Sequence, residues 1–159
     1  WNNENKIIYQ KEENRNFYVL ESSTEERTEL LKDDSIGWAF EPSFSQDMNY
    51  LSLTWNRVGG AGLWLIPILN GILDEKNAKR ISSCDCYTIG WSKDGSLIYT
   101  ANTDGGKIRT IQINDGSIID SISVPSLASD VKMASEKNTF ILKIDSEEKT
   151  DLWYINDFE

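Results

Sequence analysis

The stretch WSKDGSLIYT, residues 91–100, carries an aromatic residue, a polar turn centred on Asp94-Gly95, and a short hydrophobic run. It reads as the end of one strand, a tight turn and a second strand, because glycine readily takes the positive φ that such hairpins need. Downstream, NTDGG at 102–106 and NDG at 114–116 supply two further turns, with the hydrophobic IRTI from Ile108 between them. The whole segment is therefore strand, turn, strand, turn, strand, turn, strand.

The same layout recurs along the chain. Hydrophobic runs begin at Ile7 (IIY), Leu51 (LSL), Leu97 (LIY) and Phe140 (FIL), at separations of 44, 46 and 43 residues. A second series begins at Phe17 (FYVL), Leu63 (LWLI), Ile108 (IRTI) and Leu152 (LWYI), at separations of 46, 45 and 44. Upstream of the first series stand Trp1, Phe44, Trp91 and Met133, each followed by a polar turn: NNENK, SQDMNY, SKDGS and ASEKN. Units of four short strands repeating every ~40–45 residues are the mark of a β-propeller blade.

The expected fold is thus all-β: a β-propeller fragment of about three and a half four-stranded antiparallel blades, at roughly 1–35, 36–83, 84–125 and 126–159. In ESSTEERTELLKDD (21–34), Ser23 and Glu26 have the spacing of a capping box that would open a short helix, whereas the repeat phase places an outer strand there. Trp1 aligns with Trp91, so the first blade lacks most of its inner strand, and DLWYINDFE is a third strand with no fourth after it. An open arc leaves apolar blade faces and unpaired edges exposed. Several hundred Å² of such surface is worth on the order of 10 kcal/mol. The expected partners are accordingly a protein or the remaining blades of the same propeller, with a homodimer through the open faces as a further arrangement.

Lys and Arg number 16 against 26 Asp and Glu, for a net charge of −10. That balance repels phosphate backbones and anionic lipid and argues against nucleic acid as a partner. The longest apolar run, AGLWLIPIL at 61–69, is about half of the ~20 residues a membrane-spanning helix needs, so no membrane insertion is expected. No signal peptide is visible, but the sequence does not start with Met, so an upstream leader removed from it would go unseen and the compartment stays open.

Two blades, 41–71 and 87–116, carry a recognisable pattern: Phe44-Ser45-Gln46-Asp47 and Trp91-Ser92-Lys93-Asp94-Gly95, then Asn56-Arg57 in a polar turn, Trp64 and Trp153 in third strands, and Asp115-Gly116 at a closing turn. This resembles the TolB-type WD40-like (PD40) repeats. The outer two blades lack the Asp-Gly, and with no His the polar network of ordinary WD40 repeats is impossible. The resemblance implies a propeller used as a bacterial protein-interaction or sensor module, with an extracytoplasmic location favoured. It also leaves the alternative of a non-catalytic propeller from a prolyl-oligopeptidase-like serine peptidase.

Without His, Ser-His-Asp and Cys-His constellations are excluded and the commonest zinc ligand is missing. No catalytic residue, metal ligand or cofactor is predicted. A carboxylate pair acting on a sugar would draw on Glu41, Asp85 and Asp130 at inner strands, although 26 acidic residues make chance placement the ordinary explanation. Arg57, in the turn after LSLTW, either contacts a ligand or pairs with a carboxylate and caps turn carbonyls. Trp38, just before an inner strand, either stacks on a ligand or fills the core. The candidate binding set is therefore Trp38, Glu41, Arg57, Asp85 and Asp130. The third-strand aromatics Tyr18, Trp64 and Trp153 read as packing.

GGAG at 59–62 is a hairpin turn rather than a phosphate loop, since no Lys-Ser or Lys-Thr follows. The Asp in NTDGG fits turn chemistry and no EF-hand spacing. Cys84 and Cys86 read as two buried free thiols, because in an extended strand a bond between them would need a bend.

Overall fold

In the computed structural model the described residues are 6–11, 16–31, 38–57, 60–103, 106–124, 128–133, 139–145 and 150–155, side chains excepted at 6, 128–130, 144–145 and 150–155. The turns NNENK and ASEKN, Trp1, and the side chains of Asp130 and Trp153 lie outside this description. The chain divides into two compact units, 1–83 and 84–159.

In the first unit, β1 (Lys6–Gln10), β2 (Phe17–Glu21) and β3 (Arg27–Leu31) form a three-stranded antiparallel meander. A second sheet follows, with β4 (Ala39–Phe44), β5 (Tyr50–Arg57) and β6 (Gly60–Leu69) in sequence order. The far edge of β6 is shared by two short strands, β7 (Ile72–Leu73) and β8 (Lys79–Ser82), separated by a 3₁₀ turn at Glu75–Asn77. Alternation along β5 sends Leu51, Leu53 and Trp55 to one face, where they pack with Phe17, Leu31, Ala39 and Ile66. On the opposite face the buried Ser52 hydroxyl donates to the Ser43 carbonyl at 3.2 Å, so its burial leaves no unmade bond.

The segment read as a capping box opens no helix. Ser23 lies within the turn that follows β2, where its Oγ donates to Glu21 Oε1 (3.1 Å), and β3 begins at Arg27. Arg, Glu and Leu in RTELL are good helix formers, so its extended state comes from antiparallel pairing with β2, a tertiary contact that overrides local propensity.

In the second unit, β9 (Cys86–Trp91), β10 (Leu97–Asn102), β11 (Lys107–Gln112) and β12 (Ile118–Ser123) form a four-stranded meander. β13 (Ala128–Met133), β14 (Phe140–Asp145) and β15 (Thr150–Ile155) form a three-stranded one. Tyr99, Ala101, Ile108, Val124, Val131, Phe140 and Leu142 make its core, with Tyr99 and Phe140 edge-to-face at 5.6 Å. The cross-strand pairs Tyr9↔Tyr18, Leu53↔Trp64 and Leu142↔Trp153 occupy equivalent places in their sheets. In the third repeat Tyr99 faces Thr110, one residue beyond the position that the sequence period aligns.

The thiol reading requires correction. Cys84 and Cys86 are disulfide-bonded, with Cα atoms 5.2 Å apart. The chain bends at Cys84-Asp85 before β9 starts, which supplies the departure from extended geometry that such a bond requires.

Two turns show why the Ser-x-Asp motif recurs. Ser45 Oγ donates to Asp47 Oδ1 (2.7 Å) and accepts from Tyr50 N (3.0 Å), while the same carboxylate oxygen accepts from Asn49 N (3.0 Å). In the second unit Ser92 Oγ donates to Asp94 Oδ1 (2.6 Å) and accepts from Leu97 N (2.9 Å), and Asp94 Oδ1 accepts from Ser96 N (3.1 Å). The motif is a clasp closing the hairpin between inner strand and neighbour. Met48 and Gly95 hold the same place in the two clasps, at φ 58° and 71°. A side chain there costs about 1–2 kcal/mol, part of which is offset by glycine's greater freedom when unfolded. Met48→Gly should therefore raise stability by about 0.5–1 kcal/mol, read as a higher urea midpoint at unchanged slope.

The clasps also set an acid limit. The Ser92 hydroxyl, then the Ser96 amide, hold the Asp94 carboxyl down to about 2 from an ordinary 3.8. Asp47 is lowered in the same way, by Ser45 first and the Asn49 amide second. A carboxyl depressed by folding stabilises fully above its unfolded pKa, and that contribution disappears as pH falls through the folded one. Stability should thus decline from about pH 4 toward about pH 2, and Asp94→Asn should flatten that limb in an acid titration followed by tryptophan fluorescence.

Candidate functional site

Arg57 ends β5 directly opposite Gly60, the first residue of β6. Residues opposite one another, and every second residue along each strand, share a face. Trp55, Arg57, Gly60, Gly62 and Trp64 are therefore neighbours on one side of this hairpin end. The two glycines carry nothing to fill that face, and the arginine does so instead. Its Cζ lies 4.4 Å from the Trp55 ring centroid and 5.3 Å from that of Trp64. The two indoles meet edge-on at 5.7 Å, and Trp64 Nε1 donates to the Gly60 carbonyl at 3.2 Å. Both aromatic rings thus serve the packing expected of Trp64, and they also hold a cation.

Among the described residues no carboxylate pairs with Arg57, so aromatic stacking takes the place of the ion pair the sequence suggested. Such stacks are worth about 0.5–2 kcal/mol depending on desolvation.

Trp38 stands at the same end of this sheet, where its carbonyl accepts from Asn56 N at 3.0 Å. The residue is 55% exposed, and its ring meets Phe40 edge-on at 6.3 Å. Parity puts it on the face opposite Arg57, since Ala39 pairs with Trp55 and Phe40 with Thr54. Glu41 is exposed and sits in the β-bulge of β4 with φ 50°.

The other two candidates belong to the second unit. Asp85 is exposed between the bonded cysteines, and its carbonyl accepts from the Thr103 amide (3.1 Å) and hydroxyl (3.3 Å). Asp130 lies on β13 opposite Lys143. Of the five residues, the structure brings Trp38 and Arg57 to one sheet end. It assembles no group of three or more potential metal ligands among the described residues, and no described helix is long and apolar enough to cross a membrane.

Two features went unread in the sequence. Leu69 and Ile72 flank a two-residue turn, Asn70-Gly71, in which both residues have positive φ (53° and 78°). These two apolar side chains project from the tip, 57% and 71% exposed. An Asn-Gly pair between hydrophobic residues was the available signal. The second is Arg80 on β8, whose place beside Trp64 depends on a pairing that no local pattern announces.

No protein-family model matches this chain, and no curated protein sequence does. Solved structures do. TolB from Acinetobacter baumannii superposes with a TM-score of 0.71 at 18% identity, covering 96% of this chain and 38% of its own. An acylaminoacyl peptidase from Pyrococcus horikoshii matches with a TM-score of 0.58 at 14% identity, over 97% of this chain and 29% of that one. The dihydro-heme d1 dehydrogenase NirN matches at 0.50 and 17% identity, over 87% and 31%. The chain thus spans less than two-fifths of each of these three proteins. The shared feature is the fold: these antiparallel sheets have the β-propeller fold that TolB also has.

Proposed function

We propose that this propeller segment is a non-catalytic module that binds protein, whether a separate partner, further blades of its own chain or a second copy. The observation that carries the reading is the apolar hairpin tip, Leu69 and Ile72, held out by a two-residue turn. Exposed large aliphatic side chains grouped on one tip favour an occupant that covers them. Ile118 and Ile119 on the outer strand β12, 53% and 54% exposed, add a second such surface in the other unit. The charge of −10 suits a neutral or basic protein face and disfavours anionic polymers.

The Cys84–Cys86 disulfide supports an extracytoplasmic setting, since such bonds persist where the surroundings are oxidising. A sensor role attached to a further domain is one form of this reading. The peptidase-associated propeller is the alternative, and a Gly-x-Ser-x-Gly segment downstream in the parent reading frame would favour it.

The test is a photo-crosslinking residue at position 72 of the parent protein in its native host. A discrete crosslinked product that disappears with Leu69→Asp supports the module, and its identity separates partner, blade and second copy. Absence of any product, together with turnover of a small substrate by this segment alone, refutes it.

A further inference from the structure

We propose that Arg57 and Arg80 form a carboxylate-binding site at the Gly60 end of the β5–β6 hairpin. The inference stands apart from the partner reading above, since it rests on different residues and needs no protein occupant.

Arg80 pairs with Trp64 across β6 and β8, which puts it on the face already holding Arg57, Gly60 and Trp64. Its side chain runs back along that face to the hairpin end. There Nη1 donates to the Ala61 carbonyl at 3.3 Å, and a Cβ added to Gly60 would stand 1.9 Å from that nitrogen and 2.6 Å from Cζ. Position 60 is thus vacant of side chain where one guanidinium lies over it, while the other lies over the neighbouring indoles. Two like charges brought to one hairpin end repel each other unless an anion answers them. In a chain with ten more acidic than basic residues, no described carboxylate pairs with either.

The manner of holding matters as much as the charge. A guanidinium stacked on an indole uses its face, whereas its five N–H donors point outward in the plane. The Trp55 and Trp64 rings hold the Arg57 guanidinium against them, which limits its rotamer freedom before any ligand arrives. Ordering that a ligand would otherwise impose is already done, which favours binding. The flat fork matches a carboxylate through two parallel hydrogen bonds. A single negative charge is also repelled less by the surrounding net charge of −10 than a phosphate dianion. The ligand class is a carboxylate, free in a small molecule or borne by a peptide side chain or C-terminus.

The site is testable on the whole chain by following the Arg57 and Arg80 Nε–H and Trp64 indole N–H resonances. Glutarate, a short peptide ending in Glu, and inorganic phosphate are titrated separately at constant ionic strength. Saturable shifts with glutarate or the peptide are expected, weakened at least fivefold in Arg80→Gln, whose exposed side chain leaves the core intact. Arg57→Lys should not restore the affinity lost in Arg57→Gln, because an ammonium lacks the fork. Tighter binding of the peptide than of glutarate assigns the carboxylate to a polypeptide, and equal binding assigns it to a small molecule. The proposal is overturned if neither carboxylate gives a saturable shift by roughly 20 mM, a level that already corresponds to very weak binding. It is equally overturned if phosphate binds as tightly, or if Arg80→Gln leaves the shifts unchanged.

Discussion

Phe140→Ala should lower the unfolding free energy of the second unit by about 3–5 kcal/mol. The ring is fully buried at the start of β14, stands edge-to-face against Tyr99, and shares its cluster with Ile108, Val131 and Leu142. Truncation removes the transfer free energy of a benzyl group and leaves a cavity among strands that are hydrogen-bonded on both sides. β14 is the middle strand of its sheet, paired with β13 and β15, so the backbone cannot collapse into the space without breaking a ladder. A loss of that size approaches the whole stability of an ordinary domain, ~5–15 kcal/mol. Urea titration followed by circular dichroism measures it, and a loss below about 1 kcal/mol would mean the ring is not enclosed as described.

Gly62→Ala should be comparably severe, at about 3 kcal/mol or more. A Cβ at this position would lie 2.2 Å from the Ser82 carbonyl oxygen and 3.1 Å from the Ser83 Cα, and the backbone there has φ +148°. Neither neighbour is a side chain that can rotate away, so the β6–β8 pairing has to open. Gly90 offers a partial contrast. A Cβ there would meet Met133 at Sδ (2.5 Å), which can swing away, and at Cβ (2.8 Å), which moves only with the β13 backbone. Gly90→Ala is expected to cost about 1–2 kcal/mol, and combining it with Met133→Ala should cost less than the sum of the two. Equal losses for Gly62→Ala and Gly90→Ala would count against the close backbone approach at β8.

These positions also mark where the sequence was legible. Strand order and the hairpin turns follow from period and alternation, because a residue such as Leu53 or Ile108 declares its face by what stands two places away. The clasps were visible as Ser-x-Asp, and Met48 in glycine's place shows that the hydrogen bonds, more than the glycine, define that turn. Cross-strand register was not legible in the same way. The Arg57 stack depends on Arg57 meeting Gly60 while Trp55 meets Gly62, a pairing fixed by a turn whose length can vary by one residue without altering the repeat. The third repeat departs by just such a step. Arg80 depends further on the outer edge of β6 being divided between two short strands. The cysteine bond depended on a bend that an extended reading of SSCDCYT does not contain.

Each ~45-residue period folds as an antiparallel meander, and a side-chain clasp closes the first hairpin of the second and the third. Backbone-assigned NMR of the chain tests that claim most directly. The account predicts cross-strand NOEs linking Trp91 with Ile98, Ile98 with Ile111 and Ile111 with Ile118, and linking Phe44 with Leu51 and Leu51 with Ile66. Sequential helical NOEs through these segments, or strand pairs in which β10 or β5 faces any other neighbour, would contradict it.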